Sequence, residues 1–310
     1  MRRSKLRLVA LVVAVAGLGA LAACTPTSGR YITMIYSEAQ ITRTANISYG
    51  SAPALPDRGN GQTSPTEVLK LDVVAPSVTA DAGQDRPAVL LVHGGGFRGG
   101  TKAKMTDVAF EWARRGYVAV PVGYRLDDDN QCQAVQHGQT DDPALILECE
   151  TAVRAAQHDV QAAVRWVRAH RSDLGIDPAK VAVWGTSAGA VTAINVAYNS
   201  TDPGTSGTPG QSSEVSAVAA MSGAAYDTTI IDGDDGSVFQ AHNPYDNAVL
   251  YSLARDGADA ALARGLTVEF VTYTDRGTAA HGMGLYKAHK AELDERVAAF
   301  FYEQLDLSQT

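Results

Sequence analysis

A serine framed by very small residues is the first feature of this sequence that could carry chemistry. Residues 181–190 read VAVWGTSAGA, and Gly185 and Gly189 flank Ser187 in a G-x-S-x-G spacing. Small neighbours let a strand and a helix approach closely around a sharp turn, which leaves the serine hydroxyl exposed as a nucleophile. The same letters also fit a helix N-cap after a buried strand, so the rest of the chain must decide between the two.

A run of glycines upstream of the serine could stabilise negative charge. Residues 90–100 read LLVHGGGFRGG, and three successive glycines permit backbone angles that are closed to other residues. Backbone N–H groups can then converge on an oxyanion, together with the N–H of Ala188, the residue after the serine. A buried strand leads into the run and the serine lies downstream, an order that favours this function over a flexible turn.

The elements that must position these residues alternate along the chain. Apolar runs predict strands at 68–75, 88–93, 117–124, 180–185, 215–222, 237–242 and 266–273. Helical patterns lie at 103–115, 147–171, 188–199, 248–264 and 285–305. This alternation predicts an α/β fold with a mostly parallel central sheet, flanked by helices on both faces, and ligands that bind at the carboxyl ends of the strands.

The motifs HGGGF and GTSAG, in a chain with this alternation, resemble the α/β-hydrolase superfamily, and within it esterases of the hormone-sensitive-lipase and carboxylesterase type. The stretch GYRL after the third predicted strand is similar to one that those enzymes often carry there. The likeness covers about residues 66–305. It implies an α/β-hydrolase fold, with Gly95 and Gly96 as oxyanion donors beside Ala188 and with His93 in a structural role.

A serine nucleophile needs a base, and His281 has the position that fits best. It stands in TDRGTAAHGMG, a loop after the last predicted strand, where the hydrolase order of serine, acid and histidine places the base. The remaining histidines fall in helical patterns, in the long insertion or at the end of a strand: His158, His170, His289, His137 and His242.

Asp246 is the first candidate for the acid that holds the tautomer of the histidine and stabilises its positive form. It stands in NPYDNAV, four residues beyond His242, which is similar to the histidine-glycine-x-x-aspartate turn of the family. Here the glycine and the usual later proline are absent. Asp227, which follows the strand at 215–222, and Asp275 remain as alternatives.

The beginning of the chain is typical of an export signal. Four basic residues precede an uncharged, mostly apolar run from Leu8 to Ala23, which is short for a membrane span. The run ends in LAAC, which resembles the lipobox of bacterial lipoproteins, whose cysteine is lipidated and becomes the mature N-terminus. We therefore predict a signal peptide at 1–23 and an exported, membrane-anchored lipoprotein of the cell envelope, lipidated on Cys24.

The other two cysteines, Cys132 and Cys149, form an even pair in what would be an oxidising compartment, and we predict a disulfide between them. No Cys or His cluster stands at ligand spacing, so we predict neither a metal site nor a cofactor. Loss of residues 1–23 removes four basic residues and no acidic one, which changes the formal net charge from −8 to −12. This charge argues against nucleic acid as a partner.

The loops and domain limits complete the prediction. Residues 24–65 read as the lipidated N-terminus and a linker, in which YITMIYS and TANISYG could form short edge strands. Residues 66–310 are predicted to form the catalytic domain. Within it, 125–146 should be a pocket wall or partial lid that the disulfide pins to the next helix, and 199–214 should be a flexible connector on the opposite edge.

These residues predict a serine hydrolase that cleaves small-molecule carboxylic esters through Ser187, His281 and Asp246. A serine peptidase or amidase of the same fold is an alternative, because one triad can cleave both kinds of bond. A catalytically silent lipoprotein that uses the hydrolase scaffold for binding is another.

Overall fold

The computed structural model describes residues 26, 28–55 and 65–309 of the 310-residue chain. The signal peptide predicted at 1–23 and the lipidation predicted at Cys24 lie outside these described residues, so both stay predictions. Among the helices of the described residues, none is long and apolar enough to cross a membrane.

An eight-stranded sheet forms the centre of the fold. Its strands are β1 (Ile41–Pro53), β2 (Thr66–Pro76), β3 (Arg86–Val92), β4 (Val118–Val122), β5 (Ile176–Thr186), β6 (Ala217–Met221), β7 (Ser237–His242) and β8 (Val268–Thr272). They lie in the order β1-β2-β4-β3-β5-β6-β7-β8. Because β1 and β2 are antiparallel to their neighbours and β3 to β8 are all parallel, the predicted, mostly parallel sheet is confirmed.

Helices cover both faces of the sheet. They are α1 (Thr106–Arg114), α2 (Cys132–Gln136), α3 (Pro143–Ala169), α4 (Arg171–Leu174), α5 (Ala188–Tyr198), α6 (Tyr251–Ala263), α7 (Gly282–Ala288) and α8 (Lys290–Gln304). One apolar core packs α3, α5 and α6 on one face, and a second packs α1, α7 and α8 on the other. The sheet is therefore buried on both sides, which accounts for its continuous apolar strands.

The helix predicted at 285–305 is two helices, because His289 separates the end of α7 from the start of α8. The His289 ring stacks on Tyr273 with 3.8 Å between ring centroids, and its Nε2 lies 2.5 Å from Asp275 Oδ2. These tertiary contacts hold His289 at the junction of the two helices. The apolar spacing of the sequence continues across this position, so it predicts a single helix.

Only one of the two segments proposed as N-terminal edge strands is a strand. The stretch TANISYG lies within β1, which pairs with β2 at the edge of the sheet. Strand β1 therefore belongs to the central sheet, although it precedes residue 66, the predicted start of the catalytic domain. Residues 31–37 follow an irregular path instead. There Tyr31 is buried edge-on against Tyr117, and its N–H donates to the carbonyl of Arg115 at 2.8 Å, so packing on the segment between α1 and β4 replaces strand pairing.

The connector at 199–214 is irregular, and an arginine of α3 contacts the backbone of its central part. The guanidinium of Arg165, on α3, donates hydrogen bonds of 2.8 to 2.9 Å to three backbone carbonyls of the segment, those of Pro203, Gly207 and Thr208. A buried arginine with several acceptors holds a loop in one conformation. The acceptors are backbone carbonyls, which every residue type has, so the composition of the segment does not reveal this contact.

A buried ion pair joins Arg125, the arginine of GYRL, to α3. Arg125 Nη2 lies 2.8 Å from Asp159 Oδ1, and the backbone N–H of Arg125 donates to Asp159 Oδ2 at 2.8 Å. The Asp159 side chain is fully buried and that of Arg125 is 10% exposed. Arg125 also donates to the Pro53 carbonyl and to Ser206 Oγ, so one side chain links β1, α3 and the connector.

We expect Asp159→Ala to lower the free energy of unfolding by about 3 kcal/mol, because it leaves the Arg125 guanidinium buried without its counter-ion. The double variant Arg125→Met/Asp159→Leu should recover most of the loss, since it removes both charges and keeps apolar volume. Urea denaturation followed by circular dichroism measures both effects. A single variant as stable as the wild type would show that the pair does not brace the fold.

Candidate active site

Ser187 lies on a tight turn between β5 and α5, at the carboxyl ends of the parallel strands. Its backbone has φ +55° and ψ −126°, a conformation that residues with side chains rarely adopt. A Cβ added to Gly185 would lie 2.1 Å from the Gly189 carbonyl oxygen, and one added to Gly189 would lie 2.2 Å from that of Val92. Both flanking positions therefore exclude any side chain.

The Ser187 hydroxyl faces a histidine instead of capping a helix. Ser187 occupies the N-cap position of α5, yet its side chain makes no capping hydrogen bond. Its Oγ lies 2.8 Å from His281 Nε2, and His281 Nδ1 lies 2.7 Å from Asp246 Oδ2. The structure thus brings together the three side chains that the sequence singles out. An ionised carboxylate can only accept, so Nδ1 carries the proton and Nε2 is free to accept from the serine.

Asp246 is a buried carboxylate that accepts hydrogen bonds on both oxygens. It is 4% exposed. Its Oδ1 accepts the backbone N–H groups of Ala248 at 2.8 Å and Val249 at 3.1 Å, while Oδ2 accepts from His281. Hydrogen bonds of this kind fix the orientation of the carboxyl group.

Asn243 shapes the turn that carries Asp246, where the family pattern has a glycine. Its Oδ1 accepts the N–H of Tyr245 at 2.8 Å, and its carbonyl accepts the N–H of Asp246 at 3.0 Å. Its Nδ2 donates to the carbonyl of Asp275 at 2.9 Å, which ties the turn to the loop that leads to His281. An Asx turn therefore replaces the glycine turn of the family pattern.

The two alternative acids face other partners. Asp227 is exposed, and its Oδ1 accepts the N–H and the hydroxyl of Thr229 at 2.8 and 2.6 Å. Asp275 is paired with His289, away from the base. Of the three candidates, Asp246 is the one that contacts His281. In the part of the chain that the structure describes, no three His, Cys, Asp or Glu side chains are grouped so as to hold a metal ion.

Ser222 binds the backbone next to His281, and no motif in the sequence singles it out. It is fully buried at the end of β6, and its Oγ accepts the N–H of Gly282 at 2.8 Å, directly after His281. Gly282 has φ +57°, and a Cβ added there would lie 3.3 Å from Thr186 Oγ1. The available signal was a polar residue at the end of the apolar strand VSAVAAMS.

The glycine loop approaches the serine closely. A Cβ added to Gly94 would lie 2.9 Å from the Cβ of Ser187. Gly95 and Gly96 follow with φ of +139° and +64°, and Gly96 lines one cavity together with Ser187 and Ala188. The glycine loop and the first residue of α5 therefore border the same cavity as the Ser187 hydroxyl.

His93 and Tyr124 pack together where the glycine loop begins. The His93 ring stacks on Tyr124 with 4.4 Å between centroids, and the Tyr124 hydroxyl donates to the His93 carbonyl at 2.8 Å. Burial lowers the pKa of His93, which favours its neutral form. Tyr124, the tyrosine of GYRL, thus packs against the start of the glycine loop, while Arg125 pairs with α3. The buried, stacked ring of His93 is consistent with the structural role that the resemblance implies.

A cavity of about 290 Å³ opens beside Ser187. The segment 125–146 supplies one wall through residues 130–134 and Gln139, so its predicted place in the pocket wall is confirmed. Other parts of the lining are apolar or small: Gly96, Phe97, Ala188, Tyr226, Ala248 and Val249. This volume lies at the lower end of the range for small-molecule sites.

The predicted disulfide is present and anchors this wall. Cys132 on α2 is bonded to Cys149 on α3. Two side chains of the α2 segment also bind the loop of the acid: Gln133 Nε2 lies 2.9 Å from the Asn247 carbonyl, and His137 Nε2 lies 3.3 Å from that of Ala248. The wall and the acid loop are therefore one connected unit.

Comparisons with known proteins give matches to esterases. A family model described as BD-FAE matches residues 146–253, which include Ser187 and Asp246. A chlorogenic acid esterase from Aspergillus niger is 31% identical over 138 residues, which are 43% of this chain and 24% of that protein. A fumonisin B1 esterase from Sphingopyxis macrogoltabida is 32% identical over 126 residues, or 40% of this chain and 22% of that protein. The chain spans about a quarter of the length of these curated relatives.

Solved structures extend the likeness over most of the chain. A thermophilic esterase from the Planctomycetes species Thermogutta terrifontis, bound to propionate, superposes with a TM-score of 0.61 at 19% identity. The match covers 87% of this chain and 96% of that one. At this identity the likeness shows a shared fold, and a fold alone does not fix an activity. The chain has the α/β-hydrolase fold that its motifs imply.

The stability of the protein should depend on pH through His242, a fully buried residue at the end of β7. Burial is the main reason that its pKa falls from 6.5 to about 4. As the pH falls below 6.5, the ring therefore takes up a proton in the unfolded chain but stays neutral in the folded protein until about pH 4. The contribution of the ring is complete above pH 6.5 and is lost as the pH falls to about 4.

Between pH 7 and pH 4 we expect the wild type to lose about 3 kcal/mol of unfolding free energy relative to His242→Gln, which does not titrate. Urea denaturation of both proteins over a pH series gives this difference. If the difference stayed constant with pH, the ring would not be held neutral by the fold.

Proposed function

We propose that this protein is a serine hydrolase that cleaves carboxylic esters of small molecules through Ser187, His281 and Asp246. The observation that carries the proposal is the continuous path from the serine hydroxyl through the imidazole to a buried carboxylate, with contacts of 2.8 and 2.7 Å. The adjoining glycine loop and the esterases among the matched proteins support an ester as the bond that is cleaved.

In the first half of the reaction, Ser187 Oγ attacks the carbonyl carbon of the ester while its proton passes to His281 Nε2. The carbonyl electrons move to the oxygen, which the N–H groups of Gly95, Gly96 and Ala188 stabilise as an oxyanion. Asp246 stabilises the imidazolium that forms. When the intermediate collapses, the bond to the alcohol oxygen breaks, and His281 returns its proton to that oxygen.

In the second half, water replaces the alcohol. His281 Nε2 takes one proton from a water molecule as its oxygen attacks the acyl carbon. The second intermediate collapses to break the acyl bond to Ser187, and the imidazolium gives the proton back to Oγ. A carboxylic acid leaves and the site returns to its starting state.

Single substitutions should stop turnover of a short ester such as 4-nitrophenyl acetate. We expect Ser187→Ala, His281→Ala and Asp246→Asn each to lower kcat/KM by at least about 10³-fold. Asp227→Asn makes the same carboxylate-to-amide change at the alternative acid and should leave kcat/KM unchanged, because Asp227 does not contact His281.

Three other results would redirect the proposal. A large loss in Asp227→Asn with none in Asp246→Asn would assign the acid to Asp227. Faster cleavage of 4-nitroacetanilide than of the matching ester would favour an amidase. Folded wild-type protein without any turnover, tested on esters of several acyl lengths, would favour a scaffold used only for binding.

We also propose that the protein is exported and held at a membrane by a lipid on Cys24. The basic start of the chain, the short apolar run and LAAC support a lipoprotein signal. The Cys132–Cys149 disulfide fits an oxidising compartment outside the cytoplasm. A lipid at the mature N-terminus would leave the folded domain facing small soluble esters.

The lipid anchor can be tested with the full-length chain expressed in a bacterium. On Triton X-114 phase separation, the wild type should enter the detergent phase and Cys24→Ser should not, because a thioether-linked lipid needs the thiol. Cys132→Ser is the matched control and should partition like the wild type. Wild-type protein in the aqueous phase, with an unmodified N-terminus by mass spectrometry, would contradict the anchor.

A further inference from the structure

His242 has a buried nitrogen that the reaction as described does not use. The residue ends β7, four positions before Asp246, and its side chain is fully buried. Within the described residues its Nε2 has no hydrogen-bond partner. A buried polar atom without a partner lowers stability, so its position next to the Asp246 carboxylate needs a physical reason.

The tautomer of His242 follows from its backbone neighbour. The N–H of Asn243 donates to His242 Nδ1 at 2.9 Å, whereas the Asn243 carbonyl oxygen lies farther from it, at 3.4 Å. The shorter contact makes Nδ1 the acceptor, so a neutral ring carries its proton on Nε2. Nε2 lies 4.0 Å from Asp246 Oδ2. The same oxygen accepts from His281 Nδ1, so two imidazole N–H groups face one carboxylate oxygen.

The surroundings of His242 keep it neutral. The titratable groups that face it are Asp246, on the turn after β7, His281, on the loop before α7, and Tyr251 on α6. The Tyr251 ring meets it edge-on at 5.7 Å, and the Tyr251 hydroxyl shares a hydrogen bond with Thr272. Burial outweighs the attraction of Asp246 and lowers the pKa of His242.

We propose that His242 is a positioning residue, whose Nε2–H orients Asp246 Oδ2 toward His281 and offsets part of the negative charge of the carboxylate. Oδ1 is fixed by two backbone N–H groups, whereas among the described residues the single hydrogen-bond donor to Oδ2 is His281 Nδ1. A fixed dipole beside Oδ2 limits rotation of the carboxylate while the charge of His281 changes during turnover. The inference rests on the proposed function, because it assigns a role within the same site.

The matched variants His242→Gln and His242→Met test this role. The two side chains have nearly the same length and volume, but only glutamine keeps an N–H donor near the position of Nε2. On 4-nitrophenyl acetate, we expect His242→Met to lower kcat about tenfold with KM unchanged, and His242→Gln to stay close to the wild type. Equal losses in both variants, or none in either, would overturn the proposal.

The pH profile supplies a readout that a purely structural residue would not move. Removal of the dipole leaves the negative charge of Asp246 less compensated, so the imidazole of His281 holds its proton more tightly. In His242→Met the acid limb of kcat/KM should therefore move to higher pH by about 0.5 unit, while His242→Gln should keep the wild-type profile. An acid limb at the same pH in both variants would contradict the electrostatic role.

NMR of the wild-type protein separates this inference from the proposed function. Nitrogen-15 shifts of labelled histidine should show His242 protonated on Nε2 near neutral pH, and a proton on Nδ1 would overturn the assignment. The downfield proton on His281 Nδ1 should persist in His242→Gln and exchange faster in His242→Met. If the wild type hydrolysed no ester, the proposed function would fail, while these spectra would still decide whether His242 orients Asp246.

Discussion

The site depends on one close contact, between the first turn of α5 and the ends of β3 and β5. A side chain at Gly189 would meet the Val92 carbonyl, and one at Gly185 would meet Gly189, so the helix can begin directly behind the strand only because both are glycine. Ser187 keeps a positive φ at this junction, and its N–H is held by the Met221 carbonyl at 2.9 Å. Local strain of this kind persists when the surrounding fold over-determines the backbone. The same contact brings the glycine loop after β3 beside the serine.

The acid and the base reach the serine from two further strand ends, and polar side chains hold their loops. Asn243 makes the turn for Asp246 and binds the loop after β8, while Ser222 holds the residue after His281. The α2 segment adds a third connection, because it lines the cavity and also binds the acid loop. Geometry at the nucleophile therefore relies on polar contacts among four loops as well as on the apolar core.

The residues that the sequence reveals are those set by local rules. Glycine spacing singles out Ser187 and the neighbouring loop of residues 94–96, chain order singles out His281, and apolar runs predict the strands of the sheet. What the sequence misses depends on contacts between distant residues. The break at His289 comes from Tyr273 and Asp275, and the fixed connector comes from an arginine on α3. Periodicity and composition carry no record of such partners, so they predict a continuous helix and a free linker.

The reactivity of Ser187 is tested most directly with a fluorophosphonate probe, which forms a covalent bond with a serine whose hydroxyl gives its proton to a neighbouring base as it attacks. Mass spectrometry of the digested wild-type protein should place the adduct on Ser187, and the adduct should be absent from both Ser187→Ala and His281→Ala. Folded wild-type protein that remains unlabelled, or that carries the adduct on another serine, would contradict the assignment of Ser187 as the nucleophile.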